Sequence, residues 1–137
     1  MDYTLRADSE HRVLLVMLAG IVAEASALAA YRAVERFIAT QGPHSGITDL
    51  SGVERFDVST DFVWRLAAEP PMIPNGMSRI VVAPRPGVYG LSRMFQILRD
   101  NRDSYLEVVR TLNEAFQLLG LASPQFTTVD LVSGTSG

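Results

Sequence analysis

The sequence predicts a single α/β domain: a mostly parallel mixed sheet of about five strands, the first antiparallel, with helices packed on it. Three observations point there. Short apolar runs that suit strands buried on both faces, Val13 to Leu18 and Arg79 to Ala83, alternate with longer segments of helical period. A third run, Gly46 to Leu50, leads through a loop carrying Asp49, Ser51 and Asp57 to a helix start at Ser59 and Thr60. The chain has 137 residues, 47% hydrophobic and 20% charged, enough for one sizeable core and ordinary for a globular protein.

The elements follow in order. Tyr3 to Ala7 alternates apolar and polar residues, as a half-exposed strand does, and the polar turn Asp8 to His11 folds it back against Val13 to Leu18 as a hairpin. Ala23 to Thr40 reads as a helix, with Leu28, Tyr31, Val34 and Ile38 on one face and Gly42-Pro43 as its stop. After the Gly46 to Leu50 strand, Ser59 caps a helix that runs to about Ala68, with Asp61 in its first turn. Glu69 to Gly76 holds three prolines and an Asn-Gly pair, so it is a loop. Arg79 to Ala83 is a strand, Pro84 to Gly87 a rigid loop, and Val88 to Asp100 a helix with Leu91, Met94, Phe95 and Leu98 on one face.

Tyr105 to Arg110 is the last predicted strand. Thr111 and Glu114 have capping-box spacing and open a short helix that ends at Gly120. The predicted order is therefore β-β-α-β-α-β-α-β-α, with parallel pairing through right-handed crossovers. Function is expected at the carboxyl ends of the strands, where the loops after Leu50 and Ala83 converge. Residues 1–121 form the domain. From Ala122 the composition shifts to Ser, Thr, Pro and Gly, so residues 122–137 are expected to be a flexible or loosely docked tail.

Composition narrows the function. A net charge of -3 argues against a nucleic-acid binder. All twelve basic residues are arginine, the better side chain for forked contacts to carboxylate or phosphate. The absence of cysteine excludes disulfides and thiol chemistry. No apolar run is long enough to span a bilayer, so a cytoplasmic location is expected. His11 and His44 stand in separate turns, and no catalytic or metal-ligand spacing emerges; no cofactor and no metal are expected.

This order of elements resembles the STAS superfamily (sulfate transporter and anti-sigma factor antagonist domains), above all its stand-alone SpoIIAA-like group, which is related to SEC14-type lipid-binding folds. Three segments carry the resemblance: Asp49 to Val53 followed by Asp57-Val58-Ser59; Arg79 to Ala83 with Tyr89 to Phe95; and Val109 to Ala115 with Leu119-Gly120. The resemblance covers Tyr3 to Gly120. It implies a non-enzymatic interaction or regulatory module with a protein partner. In that family a partner kinase phosphorylates a serine at the start of the second helix, within Asp-x-Ser-Gly. Asp57-Val58-Ser59 fits three of those positions, and Thr60 stands where the pattern has glycine. The implied phosphorylation or partner site is Asp57, Ser59, Thr60 and Asp61.

Each candidate residue also has a plain structural account. Ser59 as an N-cap is worth about 1 kcal/mol. Asp49 ends its strand by accepting loop amides, and Gly52 serves a turn with positive φ. Arg85, Tyr89, Gly90 and Arg93, with Met72, form either a solvated helix start or a pocket for a partner or an acidic headgroup. The alternative function is binding of a small apolar ligand or lipid in a pocket under the Pro70 to Met77 loop. Self-association through a strand edge or the tail is a third expectation.

Overall fold

The structure is a computed structural model that describes residues 3–70, 77–99 and 106–129. It is α/β. Strands β1 (Tyr3–Asp8) and β2 (Val13–Ala23) lead into helix α1 (Glu24–Gln41). Then follow β3 (Ser45–Asp57), α2 (Thr60–Ala67), β4 (Arg79–Val82), α3 (Pro86–Arg99), β5 (Leu106–Val109), α4 (Leu112–Leu118) and β6 (Thr127–Thr128). The strands form one mixed sheet in the order β5-β4-β3-β2-β1-β6. β2 through β5 are parallel neighbours, β1 is antiparallel to β2, and β6 is antiparallel to β1.

Three parallel connections step the same way along the sheet, from β2 to β5. Crossovers of this kind are right-handed, and stepping in one direction they place their helices on one face. On that face Leu14, Val16, Leu18, Leu50, Val53 and Val81 meet Ala30, Ala33, Val34 and Phe37 of α1 and Val88 of α3. On the opposite face Val13, Leu15, Ile47, Ile80 and Val82 meet Ala115 of α4, flanked by Phe116, Leu121 and Phe126. The strict alternation of the two sets along β2 and β4 is the strand period of two, and it explains why these runs are apolar throughout.

Two expectations need correction. First, the stretch after Leu50 is not a loop: β3 continues to Asp57, and β2 continues past Leu18 to Ala23. Among the described residues, beyond Asp49 and Leu18 the two strands pair only with each other, as a parallel ribbon with register shifts between Met17 and Ala19 and between Gly20 and Ile21. Gly52 lies inside that ribbon, not in a turn. The strands pass closely there: a Cβ would meet the Ala19 Cβ at 3.2 Å. Asp49 does not end its strand, which runs on to Asp57; its Oδ1 takes the Ser51 N–H at 3.0 Å and the Ser51 hydroxyl at 2.6 Å beside the first register shift.

Second, the sheet has six strands, not about five. The extra strand lies in the segment expected to be a tail. That segment, expected to be a flexible or loosely docked tail, is docked as far as Val129: Gln125 N donates to Asp8 at 2.8 Å, Val129 N donates to Leu5 O at 2.9 Å, and Phe126 stacks on Phe116. Residues 130–137 lie outside the described residues, as do Tyr105 and Asp100.

Asp8 organises this docking. It is 1% exposed, and its carboxylate accepts from His11 N, His11 Nδ1 and Gln125 N. Burial opposes its charge, but these hydrogen bonds outweigh it and hold the carboxyl at about 2, below the ordinary 3.8. The folded value is the lower one, so the stabilisation is complete above 3.8 and is lost as pH falls to about 2. Stability is expected to drop across that window, and Asp8→Asn is expected to flatten the drop. At pH 7, Asp8→Ala is expected to cost about 2 kcal/mol, since covered amides lose a charged acceptor. Denaturant unfolding of both variants across pH is the check.

Candidate functional site

β2 and β3 are parallel neighbours, and Ala23 pairs with Asp57 at their ends, so α1 and α2 start side by side. Glu24 ties the two starts together: its carboxylate accepts the Ser59 N–H at 2.8 Å. That bond, reinforced by the Ser59 hydroxyl and Arg65, holds the Glu24 carboxyl below its ordinary pKa against the cost of burial. Ser59 is the N-cap of α2, and its Oγ accepts from Phe62 N at 3.0 Å.

The far end of α2 is held by a different device. Arg99, in the last turn of α3, is fully buried. Its Nη1 donates to the carbonyls of Ala67 at 3.2 Å and Glu69 at 3.1 Å, with Leu66 at 3.5 Å. A guanidinium at a helix C-terminus satisfies orphan carbonyls and suits the macrodipole. Arg32 of α1 reaches the same end through Glu69 at 2.6 Å. The Tyr31 hydroxyl donates to Pro70 O at 3.4 Å.

So α2 is fastened at both ends while packing chiefly on α3, standing off from the sheet. Beneath it lies a partly open cavity of about 160 Å³. The floor is Leu14, Val16 and Leu18 of β2, Thr48 and Leu50 of β3, and Val81 of β4. The walls are Ala27, Ala30, Tyr31 and Val34 of α1, with Leu91, Ser92 and Phe95 of α3. Phe62, Val63 and Leu66 of α2 form the roof, and Phe56 and Val58 close the carboxyl end. The lining is overwhelmingly apolar. An apolar cavity of about 150 Å³ is large enough to hold benzene.

The sequence-predicted site residues are elsewhere. Asp57, Ser59, Thr60 and Asp61 are exposed together at the start of α2, outside the cavity lining. Arg85, Gly90 and Arg93 are exposed on α3 and its approach; Arg93 pairs with Gln96 of its own helix. Tyr89 is half-buried, with the Arg110 guanidinium 4.4 Å from its ring centroid. None of these lines the cavity. Met72 and the loop across residues 71–76 lie outside the described residues. His44 is buried, its Nδ1 2.9 Å from Gly42 O and its ring edge-on to Phe37. Among the described residues no cluster of three His, Asp or Glu side chains is placed to hold a metal ion, and no helix is long and apolar enough to cross a membrane.

Sequence reasoning missed Tyr31, Arg79, Phe95 and Arg99. Tyr31 and Phe95 were legible only as core positions. Arg79 carried a usable signal, a charged residue heading an otherwise apolar strand. A comparison with models of known protein families and with curated proteins finds no match for this chain.

The two fastenings of α2 are separable. Arg99→Met removes the guanidinium donor to the Ala67 and Glu69 carbonyls, while Leu66 O keeps the Glu69 N–H, and is expected to cost about 3 kcal/mol. Ser59→Ala removes only the cap and is expected to cost about 1 kcal/mol. Chemical denaturation of the two variants measures both.

Proposed function

We propose that this chain is a STAS-like binding domain that takes up a small apolar molecule between its sheet and α2. The cavity of about 160 Å³ carries this reading. It sits between a rigid sheet and a helix fastened at its ends, where apolar surface stays uncovered beneath α2. Ligand pockets are commonly apolar with a few placed polar groups, and this one has that character. The order of elements and the Asp57-Val58-Ser59 start of α2 support the STAS-like scaffold; the related SEC14-type folds motivate a ligand.

A second reading is favoured by the outer face of α2. Ser59, Thr60 and Asp61 are exposed there, and Trp64 on the same helix is 58% exposed. An uncovered indole beside a capped helix start suits a protein partner. The two readings are compatible, because the inner face of α2 would meet the ligand and the outer face the partner.

The first reading is tested by titrating the protein with toluene and following amide and methyl resonances. Saturable shifts are expected at Val63, Val81 and Phe62, and Val63→Phe, which fills the cavity, is expected to abolish them. Shifts confined to other regions, or none, contradict the proposal. The second reading predicts that a partner captured by the wild-type chain is lost with Trp64→Ser; equal capture by both contradicts it.

A further inference from the structure

The floor of the cavity holds one hydroxyl where packing alone would favour a methyl group. Thr48 lies on β3, paired with Val16 of β2 on one side and Val81 of β4 on the other. The three side chains form one row across the sheet beneath α2, and all three line the cavity. The flanking valines are buried, at 4% and 7% exposure, yet Thr48 between them is only half-buried. Its backbone is enclosed by a strand on each side, so its accessible surface opens into the cavity. Gly46, two residues earlier on the same face of β3, adds no side chain to the floor.

Among the described residues the Thr48 hydroxyl has no hydrogen-bond partner. No side-chain polar atom among them is both sealed from solvent and unpaired, so this hydroxyl is reached from the open space. The other polar groups of the lining are committed. Ser92 donates to Val88 O at 2.8 Å, and Tyr31 donates to Pro70 O at 3.4 Å. Both retain accepting capacity, but their protons are in use. Arg79 is engaged as well, over the Phe95 ring at 5.4 Å among other interactions. Thr48 is the hydroxyl of the lining that offers both a donor and an acceptor.

A valine would fill the same volume, and a hydroxyl facing apolar surroundings without a partner is unfavourable. A group entering the cavity and pairing with Thr48 would relieve that. The ligand is restricted accordingly. Its body must be apolar, because Leu14, Leu18, Leu50, Phe62 and Val63 surround it. Its polar part must be small and able to donate and accept, as one hydroxyl does. A charged group would leave water for a neutral hydroxyl, at high cost. A sugar or a nucleotide would bring several polar groups for one partner. The volume suits a single ring of benzene to toluene size, not a two-chain lipid.

Resting on the cavity reading above, we propose that the ligand is a small uncharged phenol or alcohol, held by a hydrogen bond between its hydroxyl and that of Thr48. Its apolar body lies between the floor of the sheet and the inner face of α2.

The test compares 4-methylphenol with toluene, which share an apolar body and differ by one hydroxyl. Dissociation constants and ligand–protein proton contacts come from NMR titration of the full chain. Left unpaired in the cavity, the hydroxyl would weaken 4-methylphenol about tenfold relative to toluene. The bond to Thr48 offsets that loss, so the wild-type chain is expected to bind 4-methylphenol at least as tightly as toluene. Thr48→Val keeps the shape of the side chain and removes its hydroxyl. It is expected to weaken 4-methylphenol about tenfold and to leave toluene within about twofold of wild type. Thr48→Ser is expected to retain part of the wild-type preference. In the wild-type complex the ring protons beside the ligand hydroxyl are expected against the Thr48 methyl group, with the ligand methyl away from it. If toluene binds and 4-methylphenol binds about tenfold more weakly, or with its methyl end on Thr48, the hydroxyl inference is overturned and the cavity reading stands. If toluene does not bind, the cavity reading itself fails, and this inference with it. The wild-type comparison decides the matter even if a variant does not fold.

Discussion

Three crossovers that step in one direction govern this molecule. β2, β3, β4 and β5 are parallel and adjacent, so α1, α2 and α3 must share one face of a narrow sheet. α1 and α3 occupy the sheet surface, and α2 between them is left to span above it. A space lined by apolar side chains remains beneath α2. What the sequence adds is the means to keep α2 in place without packing it on the sheet. Glu24 and the Ser59 cap hold one end, and Arg99 with Tyr31 holds the other. A buried guanidinium on helix carbonyls is a costly arrangement unless well bonded, and Arg99 reaches carbonyls of Ala67 and Glu69.

Much of this architecture is visible in the sequence where local rules decide. The antiparallel hairpin, the apolar strands, the Ser59 cap and the Thr111–Glu114 capping box all appear as expected, because each depends on residues close along the chain. The misses are non-local. Ser51, Glu54, Arg55 and Asp57 are polar and Gly52 sits among them, so the stretch reads as a loop. It becomes strand because Ala19 to Ala23 extends beside it and supplies the ladder. β6 is two residues long and has no strand pattern; Asp8, more than a hundred residues away, positions the segment that carries it.

The candidate site shows the same division. The reasoning that placed function at the carboxyl edge identified Asp57 to Asp61, and these residues are exposed together where two helices start. The cavity escapes such reasoning because its lining consists of residues that look like core. Val16, Val81, Phe62 and Leu91 are indistinguishable in sequence from side chains in full contact. Only the standing-off of α2 separates them, and that is a property of the whole sheet. Arg79 and Tyr31 also line the cavity, apart from the residues first singled out.

The central claim is that open apolar space exists between the sheet and α2, and diffraction from crystals of the protein pressurised with xenon tests it most directly. Xenon enters apolar cavities of this size and marks them without chemical preference. The account predicts a xenon peak bounded by Leu50, Val81 and Phe62, with α2 unmoved. A closed contact between α2 and the sheet, with no xenon there, would contradict it.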